Sequence, residues 1–159
     1  MPMPCRISID AGSALSITTA PTVILQGTNS SSKPIRLKRI QLMSNQLGAN
    51  QQSVLIQLVT YATATSTGGT TPTAQPEDDA LVGVYTAATT FRAGTTTMGT
   101  TPTNKEMWSW NTVNPFDLVL GLPELQTEFA VSKVWALIIP SAPSAAFSLT
   151  GIVNFEEFG

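Results

Sequence analysis

Apolar and polar positions alternate with a period of two along most of this chain, the pattern of strands with one face buried. Residues 6–10 (RISID) alternate cleanly, and Leu15 and Ile17 extend the run. Residues 22–26 (TVILQ) form a β-branched stretch after Pro21, and residues 29–33 (NSSSK) read as a polar turn. Pro34 then opens a long strand over 35–44, whose apolar positions change phase. Ile35 and Leu37 fall on odd numbers, Ile40 and Leu42 on even ones, so a bulge or a crossing between sheets is expected near Lys38 and Arg39. After a turn at 48–50, residues 54–61 (VLIQLVTY) are apolar on both faces, as a central strand would be. Further strands are expected at 81–86, 107–111, 116–120, 127–131, 134–139 and 146–156. In the last of these, Phe147, Leu149, Val153 and Phe155 share one face. Two long loops rich in Thr, Gly and Pro, 62–79 and 94–104, interrupt the series.

No stretch repeats its apolar residues at three and four, so no helix is expected. Eight to ten strands in one chain of 159 residues point to an all-β fold of two packed sheets, a β-sandwich of the jelly-roll kind. Residues 15–159 read as a single domain. Residues 1–14 read as an N-terminal arm or a first edge strand.

Composition removes most enzyme classes. Charged residues are 11% of the chain, against about a quarter in an ordinary soluble domain. There is no histidine and one cysteine, so a Ser-His-Asp triad, a histidine metal site and a disulfide framework are all excluded. No GxSxG, P-loop, GxGxxG or HExxH motif occurs, and the acids Asp10, Glu106, Asp117, Glu124 and Glu128 show no glycosidase-like pairing. No catalytic residue, cofactor or metal is expected. With a net charge of −2 and no basic arm, direct nucleic-acid binding is not expected either. No apolar run approaches the ~20 residues of a membrane span, and residues 1–10 do not read as a signal peptide.

A few residues stand out as candidates. The acidic run Glu77-Asp78-Asp79 has the oxygens for Ca²⁺ but no EF-hand spacing, and reads as a solvated loop end. Trp108 and Trp110 share a strand face and suit core packing, sugar stacking or a subunit interface; Trp135 suits core or interface. Arg36, Lys38 and Arg39 put three of eight basic residues within four positions, either as a solvated strand face or as a patch for an acidic surface. The strands at 54–61 and 134–139 have a second apolar face that solvent, a loop or another subunit must meet. A neighbouring copy is the simplest cover, which favours an oligomer, preferably a trimer.

The opening ISIDAGS (7–13), the strand PIRLKRI (34–40) and the ending LTGIVNFEE (149–157) together resemble small β-sandwich decoration, or cement, proteins of tailed bacteriophages. That resemblance implies a non-enzymatic virion protein, assembled in the host bacterial cytoplasm, that binds the outside of an icosahedral capsid and bridges subunits of the major capsid protein. It makes Arg6, Arg36, Lys38 and Arg39 the candidate capsid contacts, and Trp108, Trp110 and Trp135 the candidate subunit-interface residues. The alternative function is a carbohydrate- or receptor-binding head of a phage fibre or spike, built on Trp108 and Trp110.

Overall fold

A computed structural model describes residues 2–10, 14–45, 51–62, 66–122 and 126–158. The strands are β1 (Met3–Ser8), β2 (Leu15–Ile17), β3 (Thr22–Thr28), β4 (Ile35–Ser44), β5 (Ser53–Thr60), β6 (Gln75–Pro76), β7 (Thr90–Thr95), β8 (Thr103–Asn111), β9 (Phe116–Val119), β10 (Glu128–Phe129), β11 (Val134–Ile139) and β12 (Phe147–Glu157). One sheet has seven strands, in the order β10-β4-β12-β1-β6, with β2 also on β12 and β9 also on β4. The other has five, in the order β7-β3-β11-β5-β8. All pairings are antiparallel, and one set of them is nested: β5 with β8, β4 with β9 and β10, β3 with β11, β1 with β12. Together the two sheets form a two-layer β-sandwich.

The phase change in β4 is a bulge. Arg39 lies opposite Asn154 and Leu37 opposite Phe155, so Lys38 is the extra residue. Ile35, Leu37, Ile40 and Leu42 are thereby all buried, on both sides of the slip. They pack with Ile7, Leu25, Ile56, Leu58, Trp135, Leu149 and Phe155 into the core between the sheets.

Two expectations fail for local reasons. Residues 81–86 are not a strand. Asp79–Leu81 is a turn of 3-10 helix, and the amides of Val84 and Tyr85 return to the Leu81 carbonyl. The alternation of Leu81, Val82, Gly83 and Val84 mimics a strand, but Gly83 sits at φ +81°, where the chain reverses. β7 escapes the pattern because only Phe91 and Ala93 of its inward positions are apolar, amid Thr and Gly.

The second apolar face of β5 and β11 is covered from within. Val23, Val59, Tyr61, Ala136 and Ile138 are buried as an outward cluster, with Met98 packed on it. Ser66 lies beside Tyr61, its amide donating to Gln26 Oε1 at 2.7 Å, and the Ala62 amide reaches the Thr100 carbonyl. A loop takes the place assigned to a sister subunit. The edges of the five-stranded sheet are also guarded. β7 is bridged at Ala93 by Thr70, and β8 carries a bulge at Lys105, opposite Leu58 and Val59, which discourages pairing with another chain.

Candidate functional site

The four basic candidates lie on the outer face of the seven-stranded sheet. The three in β4 are matched by acids on neighbouring strands: Arg36 with Glu128 at 3.4 Å, Lys38 with Glu156 at 2.7 Å, and Arg39 in a two-pronged pair with Asp117 at 2.9 and 2.6 Å. The bulge turns Lys38 and Arg39 towards different strands, one to β12 and one to β9. The Arg39 guanidinium holds the Asp117 carboxyl below its usual range. The trio is therefore a ladder of ion pairs tying strands together, rather than a bare basic patch. Arg6 on β1 is exposed and makes no ion pair among the described residues.

The tryptophans answer differently from their candidate role. Trp135 is 1% exposed: it stacks on Phe129 with centroids 5.3 Å apart, meets Phe91 edge-on, and donates from Nε1 to Asn29 Oδ1 at 3.1 Å. Trp110 is 2% exposed among Phe116 and Phe147, its Nε1 donating to the Asn114 carbonyl. Neither has surface to give a subunit interface, because both fill the space between the sheets. Trp108 is half-buried on the same inward face, edge-on to Phe116. Sugar stacking on the Trp108–Trp110 pair loses its platform for the same reason.

Glu157, which was not singled out in the sequence, is the most unusual ionisable group. It is 1% exposed, and its carboxylate accepts from the Tyr85 hydroxyl and from the amides of Ala88 at 2.9 Å and Thr89 at 2.6 Å. Burial pushes its pKa up, but these donors outweigh it and hold the carboxyl below its ordinary value. The buried Thr89 hydroxyl, with no hydrogen-bond partner of its own, also faces this charge. Lys33 Nζ stands 3.3 Å from the Tyr85 hydroxyl and 4.8 Å from the centre of its ring. Continuing the alternation of Phe147, Leu149, Val153 and Phe155 by one step puts residue 157 inward, so the signal was in the sequence. The network clips the loop 77–89 to the end of β12.

Cys5 lies in β1 with no exposed surface, not in a loose terminal segment. Burial, followed by the charges of Glu157 and Glu77, pushes its thiol up to about 11. The thiolate is the reactive form. The native chain is therefore expected to leave Cys5 unmodified by a disulfide reagent at neutral pH and to react only after unfolding in guanidinium. The raised pKa favours the protonated thiol in the fold. Its stabilisation is full below the unfolded value of 9.0 and is lost as pH climbs through 11, so Cys5→Ala should flatten the alkaline loss of stability over that range.

The acidic run does structural work as well. Asp78 Oδ1 accepts from the Ala80 amide at 2.9 Å as a cap, and Glu77 accepts from the Asn154 side chain. Among the described residues, no three Cys, Asp or Glu side chains converge as a metal site. A groove of about 330 Å³ between 71–74 and 86–91 is lined by threonines, Pro72, Ala74, Ala87 and Phe91, without an ionisable side chain. An adjoining recess holds Gln26 and Arg92, but Gln26 accepts from Ser66 and Arg92 donates to the Gly68 carbonyl at 3.0 Å. Among the described residues, no helix is long and apolar enough to cross a membrane. No protein-family model, curated protein or solved structure matches the chain.

Proposed function

We propose that this chain is a structural virion protein, assembled in a bacterial cytoplasm, that binds the outside of an icosahedral capsid and stabilises it by bridging subunits of the major capsid protein. The observation that carries this reading is how the chain spends its few charges. The β4 ion pairs tie strands together and Glu157 clips a loop, while Met43, Val82, Val84 and Val119 stand out in solvent. Charge used for stiffness and apolar surface left outside suit a protein that makes contacts rather than one that turns over a substrate. The two chain ends and the β4 segment add the resemblance to phage decoration proteins.

Arg6 is the capsid contact with an uncommitted charge. Arg36, Lys38 and Arg39 remain candidates only as paired groups, which an acidic capsid loop has to compete with Glu128, Glu156 and Asp117 to engage. The purified chain is expected to pellet with shells of its major capsid protein. Arg6→Glu should weaken that binding by about tenfold, and Arg39→Ala should change it little. Wild-type chain left wholly in the supernatant overturns the proposal.

A further inference from the structure

The outer face of the five-stranded sheet carries a square of polar side chains at its β7 edge. β3 and β7 set Gln26 opposite Arg92 and Thr28 opposite Thr90. Leu25, Phe91 and Ala93, the odd positions of the same two strands, lie in the core, so the strand period turns these four even positions outward. Opposed residues and their diagonal neighbours on adjacent strands stand within about 5–8 Å of one another. Thr70 bridges to Ala93, and the next residue, Thr71, closes the square from the side. The five side chains and Phe91 enclose a recess of about 150 Å³.

Two hydrogen bonds orient the donors of this recess without using them up. The Ser66 amide donates to Gln26 Oε1 at 2.7 Å, which fixes the carboxamide and leaves Nε2 with no partner among the described residues. Gln26 is 3% exposed and lines the recess, so Nε2 is a nearly buried donor awaiting an acceptor. One Arg92 nitrogen donates to the Gly68 carbonyl at 3.0 Å, which leaves most of the five guanidinium N–H groups. Neither Nε2 nor a guanidinium can accept a hydrogen bond. Arg92 also has no ion pair among the described residues. In the five strands of this sheet the one acid is Glu106 on β8, at the opposite edge, four strand spacings or roughly 19 Å away. Glu157 reaches the Thr89 amide from inside the sandwich and does not line the recess.

We propose that this recess binds one small oxyanion, a phosphate or a carboxylate, held by Arg92 and Gln26 Nε2 with the hydroxyls of Thr28, Thr71 and Thr90 around it. Oriented donors that include a positive charge, with no acid beside them, call for an acceptor that carries negative charge. A nearly buried donor left unpaired costs free energy that such a ligand returns. The volume equals that of about five waters, which suits one small anion and excludes a nucleotide. The inference goes beyond the capsid reading and is read out without any capsid.

Titration of the purified chain with inorganic phosphate and, separately, with acetate at constant ionic strength tests it, followed by the NMR signals of the Gln26 carboxamide and the Arg92 guanidinium. Both signals are expected to shift saturably with at least one of the anions, with a Kd of about 1 mM or below. Arg92→Gln and Gln26→Glu are each expected to weaken binding at least about tenfold. Gln26→Glu keeps an oxygen for the Ser66 amide and removes the donor. An unfolding midpoint near the wild-type value confirms that each variant folds, and Thr90→Val, at an exposed position, replaces Gln26→Glu if that variant does not. Lys105→Gln, which removes a positive charge at the far edge of the sheet, is expected to leave binding unchanged. Binding of phosphate alone upholds the inference with a free tetrahedral ion as ligand; binding of acetate upholds it with a carboxylate, the group an acidic partner side chain presents. No saturable shift with either anion up to about 20 mM, binding that survives Arg92→Gln, or an equal loss in Lys105→Gln overturns it. Failure of capsids to bind the chain removes the decoration reading alone.

Discussion

Trp135→Ala is expected to cost about 3–5 kcal/mol of folding stability, read as a lower urea midpoint at an unchanged slope. The indole is the largest fully buried side chain of the core, and its loss opens a cavity between Phe129 and Phe91. It also removes the donor to Asn29 Oδ1, although the Asn29 amide still reaches the carbonyls of Phe129 and Ala130 at 2.9 and 2.8 Å. Against a typical total of about 5–15 kcal/mol, that is a third of the stability or more. The same ring explains Gly27 on the facing strand: a Cβ there would fall 2.4 Å from Trp135 Cε2. Gly27→Ala should therefore be damaging alone and much milder in the Trp135→Ala background, a coupling that separates steric conflict from strand propensity.

Glu157→Ala is expected to be similarly severe, at about 3–5 kcal/mol, because it strands the Tyr85 hydroxyl, the half-buried Ala88 amide and the buried Thr89 amide at once. Glu157→Gln keeps the shape and one acceptor and should recover part of the loss. The pH dependence follows from the depressed pKa. The ionised carboxylate contributes fully above its unfolded value of 4.5, and the contribution fades as pH falls through the lower folded value. Stability should hold from neutral pH to about pH 5 and then decline, more gently in Glu157→Gln. Asp117 is shifted the same way by Arg39, so the difference between wild type and variant isolates Glu157.

Strand periodicity carried the architecture because it records which face each side chain buries. The phase slip in 35–44 pointed to a bulge or a sheet crossing near Lys38 and Arg39, and the bulge falls at Lys38; the all-apolar run 134–139 is β11, in the middle of the five-stranded sheet. The Trp108–Trp110 spacing correctly put both rings on one face; period alone does not say that this face is the inner one. β7 and the 79–81 turn were hidden for complementary reasons, a strand with little apolar content and a turn with strand-like alternation. The cover on Val59, Tyr61, Ala136 and Ile138 was illegible because Ser66 and Met98 sit in Thr-rich segments with no period to place them.

The candidate site was less legible than the fold. Three of the four basic residues found partners far away in sequence, on β9, β10 and β12, and such pairings depend on strand order, not on local spacing. Glu157 was within reach of the alternation rule, yet its role depends on the loop at 85–89 folding back to it. What the charge-poor composition did convey is that few ionisable groups are available for chemistry. The structure uses the ones described above as ties between strands and as a clip on the loop that presents Val82 and Val84.

The most direct test of the account is the temperature at which purified, DNA-free capsid shells rupture, followed by light scattering and electron microscopy with and without the added chain. The account predicts extra density on the outer surface at subunit junctions and rupture at a higher temperature. Bare shells that rupture at the same temperature in the presence of excess chain would contradict it.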